Sequence, residues 1–437
     1  MKEQKKIPVS KVQRAGKFVA TGARVGGNYL KYYAKKMVNP EHSREELDED
    51  NAEDIYNSLS ELKGSALKVA QMLSMDQGLL PGAYSQRFAQ AQYNAPPLSY
   101  PLVVKTFQKE LGAGPEHFFE HFGKKAAAAA SIGQVHKGEK DGQTYAVKVQ
   151  YPGVADSIHS DLKLVKPIAM RMFNISEADI THYLEEVEER LTEECDYQLE
   201  LQRSLEIAQE CAHIPHLEFP SYLPELSARR ILTMHWLDGK HLEGFLKLNP
   251  SAEIRNQIGQ AIWDFYDHQI HQLRQVHADP HPGNFLFRLD GTVGVIDFGC
   301  VKVLTDSFYK NYFRLLDVSD GMVPQDYDQL LRELRYLLPG DGKEDAAYFQ
   351  QRILELNQIL GKPFHSERFN FGDPEYFGAI YRLSEELAND KRLRSANGAR
   401  GPKDALYINR TYFGLYSLLH QLGAEVEIRQ HEKLALA

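Results

Sequence analysis

Residues 277–284 read His-Ala-Asp-Pro-His-Pro-Gly-Asn, and from Val295 the chain continues Val-Ile-Asp-Phe-Gly. In this order the two stretches supply what phosphoryl transfer needs: Asp279 as a proton acceptor, and Asn284 and Asp297 as hard oxygen ligands for magnesium. Magnesium keeps several coordination positions for phosphate and water, so one amide and one carboxylate suffice as the protein's share. Between the stretches, Phe285-Leu286-Phe287, Asp290-Gly291 and Val293 to Ile296 predict an apolar hairpin. A lone Asp-Phe-Gly arises by chance; the ordered pair joined by a hairpin is far more specific than a polar turn before a buried hairpin.

At 437 residues the chain can hold two or three domain-sized units. Its net charge of −9 argues against nucleic acid as a partner. Cys195, Cys211 and Cys300 match neither a zinc spacing nor a disulfide framework, which suits a reducing compartment. No apolar run is long enough to cross a bilayer, and Met1-Lys2-Glu3-Gln4 lacks a signal-peptide core. The expected location is cytoplasmic, at most peripheral to the inner face of a membrane.

Residues 1–39 carry ten Lys or Arg against Glu3 alone, a local balance of +9. Phe18, Val19, Val25, Tyr29, Leu30 and Tyr33 alternate with Lys17, Arg24, Lys31, Lys35 and Lys36. The pattern suits an amphipathic segment on an anionic membrane surface, and equally a basic arm or helix docked on an acidic body. The acidic stretch Glu45 to Asp54 reads as a solvated helix start or linker.

Leu62, Ala66, Val69, Met72 and Leu73 recur at helical spacing, with Lys68 and Gln71 sharing one face. Pro96 and Pro97 close this region, and Pro101 to Leu111 predicts a second helix. An alanine run, Ala126 to Ala130, then meets Ser131-Ile132-Gly133-Gln134-Val135. A strand, a tight Asp141-Gly142 turn and Tyr145-Ala146-Val147-Lys148-Val149 follow, predicting a hairpin. In protein kinases a glycine-rich loop over the phosphates precedes a Val-Ala-Ile-Lys strand by about this distance, which makes Lys148 the candidate phosphate lysine. Alanine in place of most of that loop's glycines resists positive φ and close phosphate approach, so the nucleotide is expected to be held differently.

A carboxylate on a helix is needed to orient such a lysine. Ile180 to Gln209 reads as helical and offers Glu194, Asp196 and Glu200. On one continuous helix Glu194 and Asp196 sit roughly 200° apart and cannot serve one partner, unless a helix boundary falls there. Asp196 and Glu200 share a face, and helical spacing leaves the choice open.

These motifs together resemble the UbiB/AarF family of atypical kinases, linked to isoprenoid-quinone biosynthesis, from about residue 20 to the C-terminal helices. The marks are Leu-Lys-Val-Ala-Gln around Lys68, Ala-Ala-Ser-Ile-Gly-Gln-Val, Val-Lys-Val-Gln-Tyr-Pro-Gly-Val, Glu-Cys-Asp-Tyr, Asp-Pro-His-Pro-Gly-Asn, Ile-Asp-Phe-Gly and a late Asn409-Arg410-Thr411. The resemblance implies a two-lobed α+β, protein-kinase-like fold with a helical N-terminal extension and a mainly helical C-lobe. It implies ATP or ADP and Mg2+ as cofactors, Lys148 and Glu200 as the nucleotide pair, and an alanine-rich loop contributing Ala130 and Ser131. Lys68 and Gln71 look like the family's inhibitory segment, met by Glu194 and Asp196; the family's glycine is Ala70 here. Met234 looks like the gatekeeper, and the backbone of His235 to Leu237 like the hinge that meets adenine. The implied division is a basic segment 1–40, a helical extension 41–122, an N-lobe 123–236 and a C-lobe 237–437.

Ala278 stands where protein kinases carry the arginine of His-Arg-Asp, and no Ala-Pro-Glu segment follows Asp-Phe-Gly. The acceptor is therefore expected to be a small molecule, a lipid or water, and the resemblance implies a quinone precursor among them. Two alternatives stay open: a small-molecule kinase of the aminoglycoside-phosphotransferase kind, and a non-catalytic scaffold gated by nucleotide. A homodimer is also left open.

Overall fold

The computed structural model describes residues 11–39, 45–62, 99–129, 132–173, 177–318, 323, 325–390, 392–393 and 400–429. The chain divides into two compact units. The first joins Met1–Gln202 to Ser221–Trp236; the second joins Arg203–Pro220 to Leu237–Ala437. Arg203–Pro220, grouped by the sequence with segment 123–236, thus belongs to the second unit.

In the first unit α1 (Lys11–Val38) pairs with α2 (Glu45–Leu62). Arg24 donates to Ser58 Oγ at 3.1 Å and lies 3.6 Å from Asp54. Asn28, buried, donates to Asn51 Oδ1 at 3.2 Å and Asp54 Oδ2 at 2.9 Å, and Lys35 meets Glu46 at 2.5 Å. Rising numbers on one helix meet falling numbers on the other, so the two run antiparallel. The acidic stretch Glu45 to Asp54 is the start of α2, as one of its two readings had it, and is docked to the basic helix rather than fully solvated. The side chains of Phe18 and Val19 lie outside the described residues.

Next come α3 (Tyr100–Leu111), β1 (His121–Phe122), β2 (Ala128–Ala129), β3 (Gly133–Lys140) and β4 (Gln143–Gln150). Then follow α4 (Val154–Phe173), α5 (Glu177–Glu194), α6 (Tyr197–Glu210), β5 (Leu217–Glu218) and β6 (Ile231–His235). The antiparallel sheet has the order β1-β3-β4-β6, with β2 also on β3. Asp141 and Gly142 turn the β3–β4 hairpin at φ 51° and 72°, the conformation that the expected Asp-Gly turn requires. Strand alternation sorts β4: Tyr145, Val147 and Val149 join Val103, Phe107, Phe119 and Phe122 in one core, leaving Ala146 and Lys148 on the other face.

The second unit is mainly helical; besides the end of α6 and β5, which pairs with β9, it holds α7 (Leu242–Leu246), α8 (Ala252–His271), β7 (Gln275–His277), β8 (Phe285–Phe287), β9 (Val293–Val295) and β10 (Val301–Val303). It continues through α9 (Asp306–Leu316), α10 (Tyr327–Glu333), α11 (Lys343–Gly361), β11 (Arg368–Asn370), α12 (Pro374–Asn389), α13 (Lys403–Leu422) and β12 (Glu425–Glu427). Ser251 and Thr305 cap α8 and α9 through side-chain oxygens. α8 buries Ile258, Ile262, Phe265, Tyr266 and Ile270 against Ile408, Leu415, Leu419 and Leu422 of α13 in one large core. Helices apolar on most faces become central helices, and both reach the β7 end of the site: Gln269 Oε1 of α8 accepts His277 N at 2.9 Å, and Arg410 of α13 meets Asp279.

Candidate active site

Lys148 points to the side of β4 that faces α6. Its Nζ donates to both oxygens of Glu200, at 2.7 and 3.0 Å. Glu200 is 2% exposed and Lys148 13%. Of the three acidic candidates, Glu200 is the one that meets the lysine, and the reason is a break in the expected helix. α5 stops at Glu194, and Asp196 Oδ1 accepts the amides of Gln198 at 3.1 Å and Leu199 at 3.3 Å, capping a new helix. The break is pinned to the sheet: Gln150 Nε2 donates to Cys195 O at 2.8 Å, and Tyr197 N to Arg229 O at 3.0 Å. Glu200 consequently lies in the first turn of α6, where the helix dipole favours a carboxylate.

Asp196 is thus a capping residue that also lies 3.8 Å from Arg229, and Glu194, half-buried, ends α5. Lys68, Gln71, Ala130 and Ser131 lie outside the described residues. Tyr197, given no role by the sequence although it completes Glu-Cys-Asp-Tyr, is buried with its ring 5.0 Å from Lys148 Nζ. A side chain on Gly133 would come within 2.6 Å of the Tyr197 hydroxyl and 2.9 Å of Val149 O. This glycine therefore serves close packing inside the sheet. Met234 lies on the same face as Lys148, clustered with Tyr197, Leu232, Ala146, Leu201 and Tyr222. His235 N donates to Ser221 O at 2.8 Å and Trp236 N to Thr144 O at 2.9 Å, while Leu237 begins the longer segment of the second unit.

In the second unit, the loop after β7 folds back on Asp279. Its carbonyl oxygen accepts His281 N at 2.7 Å and Asn284 Nδ2 at 2.9 Å, and Asn284 Nδ2 is also 3.4 Å from Asp279 Oδ2. Pro280 and Pro282 restrict φ around this turn. The amide nitrogen of Asn284 thus faces Asp279. The hairpin β8–β9 returns the chain beside it, because Ile296 N donates to Asn284 O at 3.1 Å. Asp297 follows at once, its Oδ1 accepting Gly299 N at 2.9 Å. Asn284 and Asp297 therefore sit at one end of the hairpin, and an amide oxygen with a carboxylate fits the hard-donor preference of magnesium. Among the described residues no group of three or more His, Cys, Asp or Glu could hold a metal by itself.

Two buried groups back the loop. Burial holds His277 below the usual imidazole range, although the Asp279 and Asp297 carboxylates act the other way. Its Nδ1 shares a 3.2 Å hydrogen bond with the hydroxyl of Tyr266. Burial also pushes that phenol well above its usual range, reinforced by Asp279 and Cys300. A second residue without an assigned role, Arg410 on α13, donates from Nη2 to Asp279 Oδ1 at 3.0 Å. Its signal in the sequence was the late Asn-Arg-Thr, 131 residues beyond Asp279.

Comparison with known proteins adds three findings. The model of the ABC1 atypical kinase-like domain matches residues 90–333, a span that includes Lys148, Glu200, Asp279, Asn284 and Asp297 but stops short of Arg410. The atypical kinase COQ8B, mitochondrial, of Rattus norvegicus is 30% identical, over 98% of this chain and 80% of that protein. The atypical kinase COQ8, mitochondrial, of Saccharomyces cerevisiae is 27% identical, over 96% of this chain and 83% of its own. Among solved structures, the complex of Rv3197 with erythromycin from Mycobacterium tuberculosis aligns with a TM-score of 0.56 and 26% identity, covering 87% of this chain and 94% of that one.

Proposed function

The chain belongs to the ABC1 atypical kinase-like family, with a kinase-like α+β fold, and on that premise we propose a magnesium-dependent ATPase or phosphotransferase that supports isoprenoid-quinone or lipid metabolism. The two compact units would be the two lobes of that fold. The observation that carries the reading is the cluster at the β8–β9 hairpin, where a proton acceptor adjoins one of two hard oxygen ligands.

In the first unit, Lys148 would bind the phosphates of ATP or ADP, with Glu200 fixing its ammonium group through two hydrogen bonds. In the second, Asn284 and Asp297 would hold magnesium, which when bound would neutralise phosphate charge. Asp279 would orient the acceptor and take its proton, and positioning of this kind supplies most of the catalysis in phosphoryl transfer. With no peptide-binding segment after Asp-Phe-Gly, the acceptor would be a quinone precursor, a lipid or water. Substituting Asp297→Asn should abolish magnesium-dependent phosphate release from ATP while leaving thermal unfolding unchanged. Wild-type turnover in a folded Asp297→Asn variant would remove this residue from the site.

The erythromycin bound to the mycobacterial relative favours one second reading, a site that accepts bulky soluble molecules. Phosphate release measured with and without soluble acceptors, erythromycin among them, separates the two. Among the described residues no helix is long and apolar enough to cross a membrane. Contact with a membrane surface would instead run through α1, whose Leu30, Tyr33 and Met37 are 74%, 57% and 83% exposed.

A further inference from the structure

Asp279 has a cationic partner from far along the chain. Arg410 and Asp279 are each 21% exposed and meet at 3.0 Å. The helix that carries Arg410 lies against the loop at a second point: a side chain on Gly414 would come within 2.4 Å of Pro280 Cγ, so only glycine allows this approach. At a third, Asp404 pairs with Lys302 of β10 at 2.7 Å, and the Lys302 ammonium stands 5.3 Å over the Tyr407 ring. Asp404, Tyr407, Arg410 and Gly414 recur at helical spacing, so one face of α13 runs from the strand after Asp-Phe-Gly to the loop of Asp279. The neighbours of Arg410 lock this placement: Asn409 Oδ1 accepts the Tyr312 hydroxyl, and Thr411 is buried with its hydroxyl on Tyr407 O at 2.8 Å.

A carboxylate has two oxygens, and here they differ. Oδ1 accepts the Arg410 guanidinium at 3.0 Å, and Oδ2 lies 3.4 Å from Asn284 Nδ2. The charge-assisted hydrogen bond from Arg410 constrains the rotation of the side chain. From this geometry we infer that Arg410 is a positioning residue for Asp279, fixing the rotation of the carboxylate that takes the proton of the incoming hydroxyl or water. The inference rests on the role given to Asp279 under the proposed function. Arginine suits the task because its fork is planar and always charged, while lysine offers a point charge on a flexible stem.

The test uses the full chain, measuring kcat and KM for ATP. Arg410→Met should lower kcat by roughly 10- to 100-fold, the cost of a slightly misplaced catalytic group, with KM within about twofold of wild type. The double variant with Asp279→Asn should be no slower than Asp279→Asn alone, because both act on one proton transfer. Added guanidinium should restore part of the kcat of Arg410→Ala and leave Asp279→Asn unchanged. A raised KM with intact kcat, or losses that multiply in the double variant, would overturn the inference. Wild-type turnover in Arg410→Met beside an inactive Asp279→Asn defeats this inference alone; wild-type turnover in Asp279→Asn defeats the proposed function as well. Should Arg410→Met not fold, Arg410→Lys decides: reduced kcat at constant KM supports the inference, and wild-type kcat overturns it.

Discussion

A buried pair such as Lys148 and Glu200 contributes little net stability, because desolvating two charges offsets their attraction. Removing one partner is another matter, since it strands a charge in a site where Glu200 has almost no access to water. Lys148→Met should lower the unfolding free energy by about 3–5 kcal/mol, and adding Glu200→Leu should recover most of that loss. Urea denaturation midpoints give the stabilities, and neither variant should turn over ATP. A double variant no more stable than the single would mean that the loss comes from packing around Tyr197 and not from the stranded carboxylate. The strand pattern names Lys148 and the family resemblance points to Glu200, but helical spacing alone leaves three carboxylates open, because the choice depends on where one helix ends.

That ending belongs to the scale of elements. The stretch from Ile180 to Gln209 has helical periodicity throughout, and nothing in the pattern of Leu184, Val187, Leu191 and Leu199 announces a stop. The stop comes from the sheet, which takes the Cys195 carbonyl and the Tyr197 amide out of the helical ladder. Asp196 then compensates by capping the new helix. Asp196→Ala should cost about 1 kcal/mol, and Asp196→Asn much less, since both Asp and Asn cap well. Equal losses in thermal unfolding would shift the credit to the ion pair with Arg229. The two hairpins were legible beforehand because their turns are short and local: Asp141-Gly142 and Asp290-Gly291 carry their conformation in their own residues.

Across the whole molecule, charge is segregated: the first 39 residues carry +9 in a chain of net −9. The sequence left two uses open for this segment, and α1 docks on α2 through Arg24, Asn28 and Lys35. Docking occupies those side chains and leaves Leu30, Tyr33 and Met37 exposed beside Lys31 and Lys36, so pairing with α2 and contact with a membrane are compatible. The protein should sediment with vesicles containing anionic lipid and not with neutral ones, and the bound fraction should fall as salt rises. Replacing Leu30, Tyr33 and Met37 together by Ser should release it with ATP turnover in solution unchanged. Retained sedimentation in that variant would remove α1 as the contact.

What the sequence determined by itself is whatever closes over a few residues: the spacing of Asp279, Asn284 and Asp297, both hairpins, the face of Lys148 and the sign of the N-terminal charge. Only the tertiary structure showed how a helix break brings Glu200, and neither Glu194 nor Asp196, to the lysine it was matched with by resemblance, why Gly133 must lack a side chain, and that Arg410 grips Asp279. The physical reason is that local periodicity records which face of an element is apolar. Partners brought together across 52 or 131 residues depend on how whole elements pack, and neither stretch of chain carries that alone.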